Sequence, residues 1–253
     1  MSIRRPSRVL LWAIFFIVLL LTGPLWTIAS GRVPFHGDWR TASHRATGLA
    51  PDPDTAREAV VQVYAARAFG WRGAFGVHTW LAAKPKDADR YTRYEVIGWY
   101  AMRGDSAISV GSRLAPDAEW FGATPTLLAD MRGEDAERVI AKLAHAVASY
   151  PYPDTYRVWP GPNSNTFTAH LGREIPELKL TLPSIALGKD YLQWGEFVAR
   201  TPSGSGYQFS LGGYFGVSAA RDEGFELNVL GLVIGVDVRH PALKVPGIGR
   251  LPA

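Results

Sequence analysis

AVVQVYAARAFGWRGAFGVHTWLAA, residues 59–83, is the stretch on which the fold class turns. Val61, Val63 and Ala65 alternate with Gln62 and Tyr64, and this two-residue period predicts a strand over residues 59–67. AFGWRG then interrupts the alternation with two glycines, which predicts a turn. Ala74–Ala83 resumes it as a second strand, with Gly76, His78 and Trp80 on one face and Val77, Thr79 and Leu81 on the other.

Downstream, Tyr91–Met102 (YTRYEVIGWYAM) is rich in aromatic and β-branched residues and predicts a third strand. Ala107–Gly111 predicts a fourth, shorter one. Glu134–Ser149 carries Val139, Ile140, Leu143 and Val147 at helical spacing, with acidic residues crowding its start where the helix dipole favours them. Pro151 and Pro153 stop that helix, and Pro160-Gly161-Pro162 forces irregular chain. A second helix is expected from Asn163 or Ser164, ending before Pro176. Tyr207–Ala219 and Phe225–Val238 are expected as strands joined by a turn through Arg221-Asp222-Glu223-Gly224. The second is apolar on both faces over Val229–Val236, the mark of a central strand. Strands outnumber helices, and helices fall between groups of strands. The fold class is therefore α+β: a mixed or antiparallel sheet domain with two main helices.

Upstream, Val9–Gly31 (VLLWAIFFIVLLLTGPLWTIASG) carries no formal charge over 23 residues, enough for a transmembrane helix. Arg4, Arg5 and Arg8 precede it, which places the N-terminus in the cytoplasm and the following domain in the periplasm of a single-pass inner-membrane protein. The rival is a cleaved signal peptide with an apolar region over Val9–Leu21, but the small-x-small pattern before Ala29 and Ser30 is poor. The expected organisation is a basic head (1–8), an anchor (9–31), a linker rich in Pro and Gly (32–58) and an exported domain (59–253). Thr55 and Glu58 have capping-box spacing, so a short helix from about residue 55 competes there with the strand.

The chain has 253 residues and no cysteine, which excludes disulfides, thiolate metal sites and a cysteine nucleophile. Of the formal charge of +4, three charges sit on Arg4, Arg5 and Arg8, leaving residues 9–253 at only +1. A nucleic-acid binder would carry a basic patch, and none is visible. No HExxH, P-loop or GxGxxG occurs, the six histidines have no metal-ligand pairing, and no cofactor is expected.

Two places hold candidate chemistry. His78 lies mid-strand between apolar residues, either as a core histidine or as a general base. In WPGPNSNTF (159–167), Asn163, Ser164 and Asn165 stand at a helix start. They serve either as caps for free backbone N–H groups or as a nucleophile with oxyanion donors. His170, about two turns past Asn163, is a candidate neighbour of the same pocket. Trp71, Trp80, Trp99, Trp120, Trp159 and Trp194 are candidates for lining a small-molecule, glycan or peptide groove, Trp80 and Trp159 foremost, although such aromatics more often serve as core.

VQVYAARAFGWRGAFGVHTWLAAKP, YTRYEVIGW and WPGPNSNTF together resemble the uncharacterised bacterial domain-of-unknown-function family numbered 3750, over roughly residues 59–185. The resemblance implies a membrane-anchored bacterial protein and no activity. The chain is also similar, in element order, to circularly permuted papain-like (NlpC/P60-type) hydrolases, which place a histidine on an early strand and the nucleophile later, at a helix N-terminus. That resemblance implies catalytic roles for His78, Ser164 and, as the group orienting the histidine, Glu95. The chain departs from it in having serine where the family has cysteine, and a helix terminus does not ionise serine without an aligned base. Three functions stay open: a non-catalytic envelope binding or scaffold domain, an amide or ester hydrolase or acyltransferase, and an accessory subunit of a membrane complex with a protein partner.

Overall fold

The computed structural model describes residues 7–33 and 38–252. Arg4 and Arg5 of the basic head lie outside these residues.

Helix α1 (Arg8–Ala29) is long and apolar enough to cross a membrane. Ser7 caps it through a bond from the Leu10 N–H. Most of its surface is exposed, but Leu20, Gly23, Pro24 and Thr27 are buried against the rest of the chain.

The first sheet joins β1 (Val60–Arg67), β2 (Val77–Lys84), β3 (Thr92–Val96), β4 (Ile108–Gly111) and β5 (Thr126–Arg132) in the order β4-β3-β2-β1-β5, every pair antiparallel. A 3-10 turn, Gly70–Ala74, links β1 to β2. The Thr55–Glu58 spacing makes no helix, because the chain has already entered its approach to β1. The expected third strand is cut short. After Val96 the chain turns into a one-turn helix, α2 (Gly98–Ala101). Gly98 packs on the Tyr156 ring, where a Cβ would come within 2.6 Å of it, so the aromatic run GWYA leaves the sheet. The edge strand β5 lacks a clean alternation and has no clear signal in the sequence.

Helices α3 (Gly133–Ala148) and α4 (Ser164–Glu174) cover one face of this sheet. α3 buries Ala136, Val139, Leu143 and Ala146 against it. The core between helices and sheet includes Val61, Val63, Leu81, Phe167 and Leu171. The opposite face buries Tyr64, Trp80, Tyr91, Ile97 and Trp120. Irregular chain closes over it: Asp117 Oδ2 accepts the Leu49 and Ala50 N–H groups. Residues 43–50 are thus tied to the domain.

The C-terminal third forms a second sheet rather than an extension of the first. It is a seven-stranded meander of β6 (Val198–Arg200), β7 (Gly206–Leu211), β8 (Phe215–Ala220), β9 (Gly224–Val229), β10 (Leu232–Asp237), β11 (Ala242–Val245) and β12 (Gly249–Leu251). Each expected long strand is a hairpin. Gly212 and Gly213 (φ +57° and +76°) reverse the first, and Leu230-Gly231 (φ +53° and +82°) the second. Val229 pairs with Leu232, so Leu230-Gly231 is a tight two-residue turn that two consecutive positive φ values suit, whereas Leu211 pairs with Phe215 across the three-residue loop 212–214. The expected turn through Arg221-Asp222-Glu223 joins β8 to β9.

The faces of this sheet are inverted relative to a soluble sandwich. The row Gln208–Ser218–Glu226–Gly235–Lys244 points inward, toward α4 and the 183–193 loop. Glu226 is ion-paired with Lys189 and Lys244, and Arg173 of α4 donates to Gln208 Oε1. Burial opposes the charge on Lys189, but Asp190 and Glu226 outweigh it and raise its pKa. The row Tyr207–Ala219–Phe225–Val236–Leu243 points outward and is open.

Candidate functional site

Strand alternation puts His78 and Trp80 on the face of β2 away from the helices, and Thr79 on the face toward them. His78 Nε2 lies 2.9 Å from Glu95 Oε2. Glu95 stands on β3, and the same oxygen accepts from Arg93 Nη2 at 2.9 Å. Arg93 and Glu95, two apart on one strand, share a face. The guanidinium of Arg93 also lies over the Trp80 ring, 4.5 Å from its centre. The His78 ring stacks on Trp120, with centres 3.7 Å apart and planes 11° apart.

All three polar side chains are buried. Burial pushes the His78 pKa below its ordinary value, and the Glu95 carboxylate offsets this only in part. For Glu95, burial alone would raise the pKa, but the His78 hydrogen bond and the Arg93 charge outweigh it and hold the carboxyl below its usual range. The state these directions describe is a neutral imidazole donating from Nε2 to an ionised carboxylate. Nδ1 is then an acceptor without a hydrogen-bond partner among the described residues.

On the other side of β2, the PGP turn leads into α4. Asn163 is the cap: its Oδ1 accepts from the Asn165 and Thr166 N–H groups, while Thr166 Oγ1 accepts from the Asn163 N–H. The Asn163 amide also donates to the Val158 and Leu187 carbonyls. Asn165 donates to Val77 O and Leu187 O, and its oxygen accepts from Thr79 Oγ1 at 2.9 Å. Both carboxamides thus have their donors committed to backbone. What remains at the helix start is Ser164, whose Oγ has no hydrogen-bond partner among the described residues.

His78 and Ser164 line one cavity of about 1200 Å³, but no hydrogen bond joins them. Thr79, not His78, presents its side chain to α4. The cavity curls around the end of β2 between these two faces. Its wall takes in Trp71, Phe75, Trp99, Trp120, Phe121 and Trp159. Arg40, Arg72, Arg103 and Arg113 also belong to it, and no Asp or Glu does among the described residues. Trp159 is anchored by donation to Leu230 O at 2.8 Å.

Two candidates lie elsewhere. Trp80 is a fully buried support behind His78, donating to Pro116 O. His170 faces α3, where its Nε2 meets Ala146 O at 2.9 Å, away from the cavity. Sequence reasoning did not find Arg93 or the four wall arginines. Arg93 was findable, because it shares a strand face with Glu95. Trp120 is a candidate groove aromatic by residue type, but its stacking on His78 has no local signal, since it comes from irregular chain with no period. Among the described residues, no group of three or more histidines and carboxylates could hold a metal ion.

A family profile described as "Protein of unknown function (DUF3750)" matches residues 58–191. No curated protein and no solved structure matches the chain.

Proposed function

The chain belongs to the DUF3750 family, whose description names no activity, and from its own residues we propose that it is a membrane-anchored binding domain for an anionic amphiphile. The observation that carries this is the composition of the cavity wall: aromatic and aliphatic over most of its area, with four arginines and no carboxylate among the described residues. Arg40, Arg72 and Arg113 have no carboxylate within ion-pair distance among the described residues, so their charge is free to meet a ligand anion. An acyl chain entering such walls gains about 0.8 kcal/mol per buried CH₂, and the arginines select the charged head. α1 serves as the anchor, with the N-terminus in the cytoplasm and the domain in the periplasm, as the arginines before it favour. The 3-10 turn carrying Trp71 and Arg72 packs against α1, which puts one cavity wall beside the anchor.

The test uses the full chain in lipid nanodiscs with a photoreactive long-chain carboxylate. Crosslinks are expected in peptides containing Trp99, Phe121 or Trp159. They should fall with the matching alcohol and with the double variant Arg72→Glu, Arg113→Glu. Equal labelling by acid and alcohol, or labelling confined to α1, would overturn the proposal.

A second reading is an amide or ester hydrolase or acyltransferase using Ser164, His78 and Glu95. It draws on Ser164 at a helix N-terminus and His78 Nδ1 as free acceptor, both on one cavity. It requires a movement that carries Ser164 Oγ around the end of β2 to Nδ1. A fluorophosphonate that labels the chain at Ser164, and not the Ser164→Ala variant, would favour this reading over simple binding.

A further inference from the structure

We propose that the outward face of the second sheet is a membrane-contact surface that rests on the lipid bilayer beside α1. The inference relies on α1 being the membrane anchor.

Seven strands at about 4.8 Å spacing make this face roughly 29 Å across, and the six-residue strands β7–β10 make it about 20 Å tall at its centre, tapering over the shorter β6, β11 and β12. Tyr207, Phe225 and Leu243 are each 58% exposed, whereas Gln208, Ser218 and Glu226, their inward neighbours, are 2–5% exposed. A sheet of a water-soluble domain has the opposite arrangement, apolar in and polar out. Contiguous apolar patches of this size mark interaction sites. The inversion is built into the fold: the inward row carries the Lys189–Glu226–Lys244 ion pairs, so the sheet cannot flip its faces without burying unpaired charge.

The bilayer is named as occupant because the face adjoins α1. Val245 lies two residues from Leu243 on β11 and shares its face. A Cβ on Gly23 of α1 would lie 3.3 Å from Val245 Cγ1. Thr27 Oγ1 donates to Gly247 O at 3.1 Å, just beyond β11. Gly23 comes six residues, about 9 Å of rise, before the end of α1. The polar zone of one leaflet is about 5–8 Å thick. A sheet docked on α1 at that level meets lipid at the boundary of headgroups and acyl chains, where tyrosine belongs. Arg200, paired with Tyr207 in register and 5.4 Å from its ring, borders the apolar row with positive charge suited to anionic headgroups.

The chain has no cysteine, so single labels are clean. Val217→Cys and Phe225→Cys place an environment-sensitive fluorophore on the face, Ile17→Cys places it in α1, and Glu137→Cys on the exposed side of α3. The full-length variants are reconstituted into phosphatidylcholine–phosphatidylglycerol vesicles with or without nitroxide-labelled lipid. Labels at 217 and 225 should lose fluorescence to the lipid nitroxide, as label 17 does, while label 137 should not. If 17 is quenched and 217 and 225 stay in water, the anchor stands and the surface proposal falls. If 217 and 225 are shielded from water yet unquenched by lipid, a second copy or a protein partner covers the face, and the proposal falls. If 17 is not quenched, the anchor assignment fails, and the surface proposal that rests on it falls with it.

Discussion

His78 and Thr79, adjacent on β2, belong to opposite sides of the sheet: the imidazole reaches Glu95 Oε2 at 2.9 Å, while the hydroxyl reaches Asn165 Oδ1 of α4 at 2.9 Å. This alternation separates a buried imidazole–carboxylate–guanidinium cluster from the helix start that carries Ser164. It sets what each group can do.

The cluster is expected to make the domain acid-sensitive. His78 has a depressed pKa in the fold, so the folded state takes up its proton later than the unfolded state. Its contribution is complete above about pH 6.5, the ordinary imidazole value, and declines as pH falls below it, by up to about 1.4 kcal/mol per pH unit. Glu95, also depressed, adds a second loss at lower pH. Thermal unfolding in detergent, followed by near-ultraviolet circular dichroism, should show stability falling below pH 6.5. In His78→Gln, which keeps a donor but does not titrate, that first decline should vanish. An unchanged pH profile in the variant would show that His78 titrates alike in both states.

Glu95→Ala should be far more damaging than a surface change. It leaves Arg93 buried without its carboxylate and His78 without its acceptor. Loss of one partner from such a pair costs about 3–5 kcal/mol. Chemical denaturation of Glu95→Ala and Glu95→Gln gives the measure, with Gln expected to recover part of the loss.

The start of α4 distinguishes structural from free groups. Asn163→Ala removes the cap and two bonds to backbone carbonyls, of which Leu187 O keeps a donor in Asn165. A lost cap together with the lost backbone bonds costs about 2 kcal/mol. Ser164→Ala should change stability by less than about 1 kcal/mol, because its hydroxyl has no partner among the described residues to lose. Equal losses for the two variants would place Ser164 in the packing.

Gly23→Leu should loosen α1 from the domain without removing it from the membrane. A side chain there would overlap the Pro246 carbonyl and press on Val245. Limited proteolysis of membrane fractions should show faster cleavage in the 246–248 turn, while the chain remains in the pellet after alkaline carbonate washing. Wild-type protection in the variant would mean that the contact is loose already.

A reporter fused after Ala253 should be active if it requires the periplasm and silent if it requires the cytoplasm. The opposite pattern would reverse the orientation assigned from Arg4, Arg5 and Arg8.

The amino-acid sequence by itself determined the elements whose signals are local. An uncharged run longer than the hydrocarbon core of a bilayer is thick marks α1. The alternation around Gln62 and His78 marks β1 and β2, and Asn163 with Pro176 brackets α4. Tertiary structure decided the rest. The tandem glycines at 212–213 read as interruptions of one strand until the chain folds back, because hairpin and bulge share the same local signal. Apolar residues on one face of β7–β11 read as core, since periodicity shows that a face is apolar but not which way it points. The inward direction was chosen by long-range ion pairs, Lys189 to Glu226 across 37 positions and Lys244 to Glu226 across 18. The site followed the same division. His78 and Ser164 are visible as residue types at an expected strand and an expected helix start. That they share a cavity, but on opposite faces of β2, depends on how the helix lies on the sheet, and no local pattern encodes that.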